Sequence, residues 1–136
     1  MASIRDVMTP NPTTCPPSAT ATDAARAMAS EDVGPIPVAE GDRLVGMVTD
    51  RDLVVRVLAE GRDANSTTLQ EIMASDLVTV EPGTQLEEAL QLMSDNQVRR
   101  LPVVEGGRLV GIVAQADVAR AADEEQVGEV VQDISQ

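Results

Sequence analysis

The chain is written twice, imperfectly, and that repetition constrains its fold more than any other feature. Gly46-Met47-Val48-Thr49-Asp50-Arg51-Asp52 returns 65 positions later as Gly111-Ile112-Val113-Ala114-Gln115-Ala116-Asp117. The glycine, the apolar pair and the last aspartate are kept, and the threonine is lost. Over 136 residues this favours two very small units sharing a core over one ordinary domain.

The rest of the chain follows the same doubling. Ser3-Ile4-Arg5-Asp6 reads as a capping box, in which a hydroxyl and a carboxylate three residues on satisfy free amides at a helix start, and Thr68-Leu69-Gln70-Glu71 repeats it. Each opens a short turn holding Met8 or Met73. A β-prone segment follows, Thr13-Thr14-Cys15 or Leu77-Val78-Thr79-Val80, ended by Pro17 or Pro82. Next comes a helix: Ala21, Ala24, Ala25 and Met28 in the first copy, capped by Ser18 or Thr20. In the second copy Leu86, Ala89, Leu90 and Met93 stand behind a Thr84-x-x-Glu87 box. Hairpins are expected from Ile36–Ala39 to Arg43–Val48 about Gly41, and from Leu101–Val104 to Arg108–Val113 about Gly106-Gly107. Pro37 and Pro102 lack an amide donor and belong at a strand start or an unpaired edge.

Past Thr49 a helix is predicted to run to a glycine cap at Gly61. Leu53, Val54, Val55, Val57 and Leu58 sweep roughly 200° of it at about 100° per residue, wider than the stripe of about 100° that one core needs. One face then suits the chain's own core and the other a partner. Glu60 to Thr67 is a polar connector. Beyond Asp117, Val127, Val130, Val131 and Ile134 keep helical spacing in an acidic terminal helix.

Composition excludes much chemistry. Without Phe, Tyr or Trp the core must come from aliphatic residues and Met, each large one supplying about 1.5–3 kcal/mol when buried. A formal charge of −13 disfavours nucleic acid and anionic membranes as partners. All ten cations are Arg and there is no His, so no Schiff-base lysine, phosphate-loop lysine or imidazole base exists, and no enzyme is expected. The lone Cys15 cannot close an internal disulfide, and it reads as a small strand residue before a redox sensor. No stretch approaches the roughly 20 apolar residues of a membrane span. A cytoplasmic protein is expected.

Two motifs fail on detail. Asp50-x-Asp52 opens like a calcium loop, but Val55 stands where the turn glycine belongs and Gly61 where the bidentate glutamate belongs. Gly106-Gly107 lies in a hairpin and opens no helix, so it is no dinucleotide fingerprint.

The paired helix–strand–helix units, Pro37-Val38 and Pro102-Val103, the two Arg-Leu-Val-Gly strands and Gly46-x-x-Thr49-x-x-Asp52 together resemble a tandem pair of cystathionine-β-synthase (CBS) domains, a Bateman module. The likeness runs from Ile4 to about Ala121. Thr49-Asp50-Arg51-Asp52-Leu53 and Asn96-Gln97-Val98-Arg99-Arg100 are similar to small stand-alone bacterial CBS-pair proteins, including hypoxic-response proteins. The resemblance implies an α/β fold of two pseudo-symmetric repeats packed through their small sheets, with flanking helices, forming a flat, disc-like homodimer. Its divisions would be repeat 1 at 1–62, a connector at 63–67, repeat 2 at 68–122 and an acidic helix or tail at 123–136.

The resemblance also implies a regulatory module that senses an adenosyl compound such as AMP, ADP or ATP, as a ligand and not a cofactor. Asp52 would accept from the ribose hydroxyls, Thr49 would donate to a ribose or phosphate oxygen, and Arg99 and Arg100 would meet the phosphate. Backbone groups of Ile36 would read the adenine edge. The other cleft has Asp117 but Ala114 in place of a threonine and Gly34-Pro35 in place of the arginines, so one competent site per chain is expected. Other readings stand beside these. Thr49, Asp50, Asp52 and Asp117 all suit helix caps, and Arg99 and Arg100 suit ion pairs on an acidic surface. On those readings the protein is a stress-associated structural or interaction protein with vestigial sites and an unidentified protein partner.

Overall fold

A computed structural model describes the backbone of residues 2–135 and the side chains of residues 2–125. The elements are α1 (Ile4–Val7), β1 (Thr9–Pro10), α2 (Ala21–Glu31), β2 (Pro35–Glu40), β3 (Arg43–Thr49), α3 (Asp50–Leu53), a π-helical turn (Val54–Leu58), α4 (Leu69–Ile72), α5 (Leu86–Asn96), β4 (Arg100–Glu105), β5 (Arg108–Ala114) and α6 (Gln115–Ser135). The class is α/β, as the resemblance implied.

Two compact units form, and they do not follow the linear copies. One comprises Pro12–Leu77 with Gly107–Leu109; the other comprises Met1–Asn11, Val78–Gly106 and Val110–Gln136. The opening turn of each copy is therefore housed with the body of the other. Ile4, from α1, lies in the core of Leu86, Met93, Leu101, Val103, Val113 and Val118. Leu69 and Ile72, from α4, lie in the core of Ala24, Met28, Ile36, Val38, Val48 and Val57. Each unit has its own aliphatic core.

Within the first unit β2 pairs antiparallel with β3, Ile36 opposite Val48 and Val38 opposite Gly46. Gly41 makes the turn with φ +63. Cys15 adds a single parallel bridge to Val38, and Ala74 an antiparallel one to Met47. Pro37 stands inside β2, not at its start. β2 lies at the edge of the sheet order, where the missing N–H of Pro37 costs no ladder bond, and its carbonyl accepts from Cys15 N at 3.1 Å. The second unit repeats this pattern: β4 pairs with β5, Val80 bridges to Val103, and β1 sets Thr9 opposite Ile112.

The caps are less symmetric than the sequence suggests. Thr20, not Ser18, caps α2: Asp23 N donates to Thr20 Oγ1 at 3.2 Å and Thr20 N to Asp23 Oδ2 at 2.9 Å. In the second copy Gln85 takes the N-cap position without a side-chain bond, and Thr84 Oγ1 turns back to accept from Glu81 N. Thr68 stands at the N-cap of α4 without a side-chain bond, and the Glu71 side chain pairs with Arg62. After α3 the backbone widens into the π turn, with Ala59 N donating to Val54 O, and Gly61 ends it at φ +68. Only Val57 of the turn is buried; Val54, Val55 and Leu58 are exposed. The terminal helix is present as α6, and the predicted stripe of Val127, Val130, Val131 and Ile134 falls outside the described side chains.

Candidate functional site: the strand-to-helix junctions

In the first unit β3 runs directly into α3, and the junction is a closed capping box. Thr49 N donates to Asp52 Oδ2 at 2.8 Å, and Asp52 N donates to Thr49 Oγ1 at 3.2 Å. The cap reading of these two residues is thus realised. It does not exhaust them, since a carboxylate offers about four lone-pair sites and the Asp52 side chain keeps 20% of its surface exposed. Asp52 Oδ1 lies 3.7 Å from Arg56 Nε, and Arg56 Nη1 donates to Ile72 O at 3.0 Å. Arg56 therefore steadies the carboxylate from the next turn. Sequence reasoning passed over it, although a four-residue spacing between opposite charges on a helix is a readable signal.

Beside this pair Asp50 N donates to Gly34 O at 3.0 Å, which ties the start of α3 to the approach to β2. Ile36, two residues on, buries its side chain in the core at 1% exposure, so only its backbone is available to a ligand. Thr49, Asp52 and Ile36 belong to one unit, and Arg99, Arg100 and Asp117 to the other.

The second junction has the same backbone and different chemistry. Gln115 N donates to Arg99 O at 2.8 Å, the bond that Asp50 and Gly34 make in the first. Arg99 and Arg100 are both exposed, and neither makes an ion pair among the described residues. Asp117 has no threonine to cap with at 114; its Oδ1 instead accepts from Arg120 Nη2 at 2.6 Å. Chemically, the first junction offers a carboxylate acceptor with a hydroxyl, and the second offers two guanidinium groups without an ion pair among the described residues.

Other reactive groups are quiet. Cys15 is buried, and burial first, then the Asp23 charge, pushes its thiol up, against redox or nucleophilic use. An open groove of about 410 Å³ is lined by Val55, Arg56, Glu60, Arg62, Glu71 and Ile72, but Arg56 and Arg62 are already engaged with Ile72 O and Glu71.

Two strand-to-helix junctions, each at the end of a strand bridged by the segment that follows a short turn from the other copy, define a tandem module of the kind the resemblance implied. The chain belongs to the CBS-domain family: the CBS domain model matches residues 4–59 and 69–124. It is 43% identical over 136 residues to the CBS domain-containing protein YhcV of Bacillus subtilis, across 99% of this chain and 96% of that protein. Among solved structures, Hypoxic Response Protein I with two coordinated zinc ions matches at TM-score 0.81 and 41% identity, covering 88% of this chain and 98% of that one. CBSX2 in complex with AMP matches at TM-score 0.79 and 29% identity, covering 93% and 99%.

Proposed function

We propose that the protein is a regulatory module that binds an adenine nucleotide, with one competent site per chain. Asp52 and Thr49 would hold the ribose, Arg99 and Arg100 the phosphate, and the backbone at Ile36 the adenine edge. The observation that carries this reading is the difference between the junctions. Thr49 and Asp52 set a hydroxyl and a carboxylate side by side, whereas Asp117 has Ala114 where the hydroxyl would be and pairs with Arg120. Asp117 with Gly34 and Pro35 then makes a weak second site. The solved complex of CBSX2 with AMP supports AMP as the first ligand to try. With no aromatic residue to stack on the base, affinity is expected to be modest.

Zinc is not part of this reading. Hypoxic Response Protein I is described with two coordinated zinc ions, but this chain has no histidine and its one cysteine is buried. Among the described residues no cluster of three His, Cys, Asp or Glu side chains is placed to hold a metal.

The test uses variants that leave the cap intact. Asp52→Asn keeps an acceptor for Thr49 N while removing the charge, and Arg100→Ala touches only an exposed side chain. Each is expected to weaken AMP binding, measured by titration calorimetry, by about 1.5–3 kcal/mol. Unchanged affinity in both would remove the proposed contacts. The interaction-protein reading is favoured by one feature, the exposed Val54, Val55 and Leu58, and it predicts no saturable AMP binding at all.

A further inference from the structure

Asp50 takes no part in the contacts proposed for the nucleotide, yet it is exposed and held at its junction. Its amide is fixed to Gly34 O, and its carboxylate lies over the Gly34 backbone. A Cβ on Gly34 would sit 3.2 Å from Asp50 Oδ1 and 3.3 Å from Oδ2. Oδ1 also accepts from Arg51 N at 2.9 Å, which holds the carboxylate in place. Asp50 makes no ion pair among the described residues, so its charge is not neutralised locally.

The second junction inverts this charge on the same backbone bond. Gln115 replaces Asp50, and Arg99 and Arg100 replace Gly34 and Pro35. An anion approaching the Arg99–Arg100 corner meets two cations and a neutral amide. An anion approaching the Gly34–Pro35 corner meets a carboxylate, and neither corner residue carries a cation. Like charges at contact distance repel even in water. We propose that Asp50 is a specificity determinant that keeps phosphate out of the Gly34–Pro35 corner, leaving it to uncharged or cationic groups such as a bare nucleoside. This rests on the nucleotide reading and explains why only one of the two corners would accept the phosphate of AMP.

Glutamine is longer than aspartate, so a gain of binding in Asp50→Gln cannot come from making room. AMP and adenosine would be titrated calorimetrically into the full chain, its Asp50→Gln variant and Asp50→Gln/Gly34→Arg. Gly34 has no left-handed φ, and Asp50→Gln removes the carboxylate that a Cβ there would meet at 3.2 Å, so the arginine is introduced only in the double variant. The parent is expected to bind one AMP per chain. Asp50→Gln should tighten AMP at the second corner about fivefold, and the double variant should bring the stoichiometry to two. Adenosine affinity should stay unchanged, and the AMP gain should shrink as salt is raised. Gln115→Asp should weaken the parent's single AMP site by a similar factor.

A parent that binds one AMP, with all three variants unaltered, would overturn this role and leave the nucleotide site standing. Equal gains for adenosine would also overturn it, since shape and not charge would be acting. Two AMP on the parent would do the same. A parent that binds no AMP would remove both the nucleotide reading and the role of Asp50.

Discussion

Gly46 and Gly111 carry no functional group, yet single atoms decide their identity. A Cβ on Gly111 would come within 2.6 Å of the Met8 sulfur and 3.0 Å of Thr9 O, and one on Gly46 would meet the Met73 sulfur and lie 3.0 Å from Ala74 O. A methionine can swing aside; the backbone carbonyl cannot, because Ala74 and Met47 exchange both bridge hydrogen bonds. Gly46→Ala and Gly111→Ala should each cost about 1–3 kcal/mol by overpacking, read as a lower midpoint in urea. A change below about 0.5 kcal/mol in both would mean that the turns ride loosely on the strands. The sequence displays both glycines at matching positions and gives no reason for them, since the reason lies in a turn brought from the other copy. The Thr49–Asp52 pair was legible as chemistry because its two partners sit three residues apart. Asp50 against Gly34 was not, because that approach depends on how α3 is aimed at β2.

At the scale of elements, the hairpins were readable to within a residue because alternation and turn glycines are local signals. Caps were read less well. Thr84 had the right residue type and spacing, but its hydroxyl turns back to Glu81 N and the helix starts two residues later. The π turn left no trace in the sequence: its residues keep helical spacing, and the widening appears only in the backbone bonds. It sorts the broad apolar arc into Val57, which is buried, and Val54, Val55 and Leu58, which are not. The two roles can be separated. Val57→Asp places a charge in the core of the first unit and should destabilise by about 3 kcal/mol or more. Leu58→Glu should leave the melting temperature nearly unchanged and, if this face joins two copies, reduce the mass found by light scattering to that of one chain. A dimer that survives Leu58→Glu and Val54→Glu together would place the interface elsewhere.

For the whole molecule, the sequence repeat located two units but not their make-up, because the α1 and α4 turns carry equal local signals and only packing decides where each is housed. No helix among the described residues is long and apolar enough to cross a membrane. A net charge of −13 makes any phosphate ligand approach an anionic protein, so the exposed Arg99 and Arg100, without an ion pair among the described residues, gain weight as the place where it can settle. That asymmetry is the centre of the account, and its direct measure is stoichiometry. Equilibrium dialysis against AMP can be read by absorbance near 260 nm, where a chain without Phe, Tyr or Trp adds almost nothing. One AMP bound per chain at saturation, weakened in Asp52→Asn, is the result expected. No bound excess at millimolar AMP, or two equivalent AMP per chain, would contradict it.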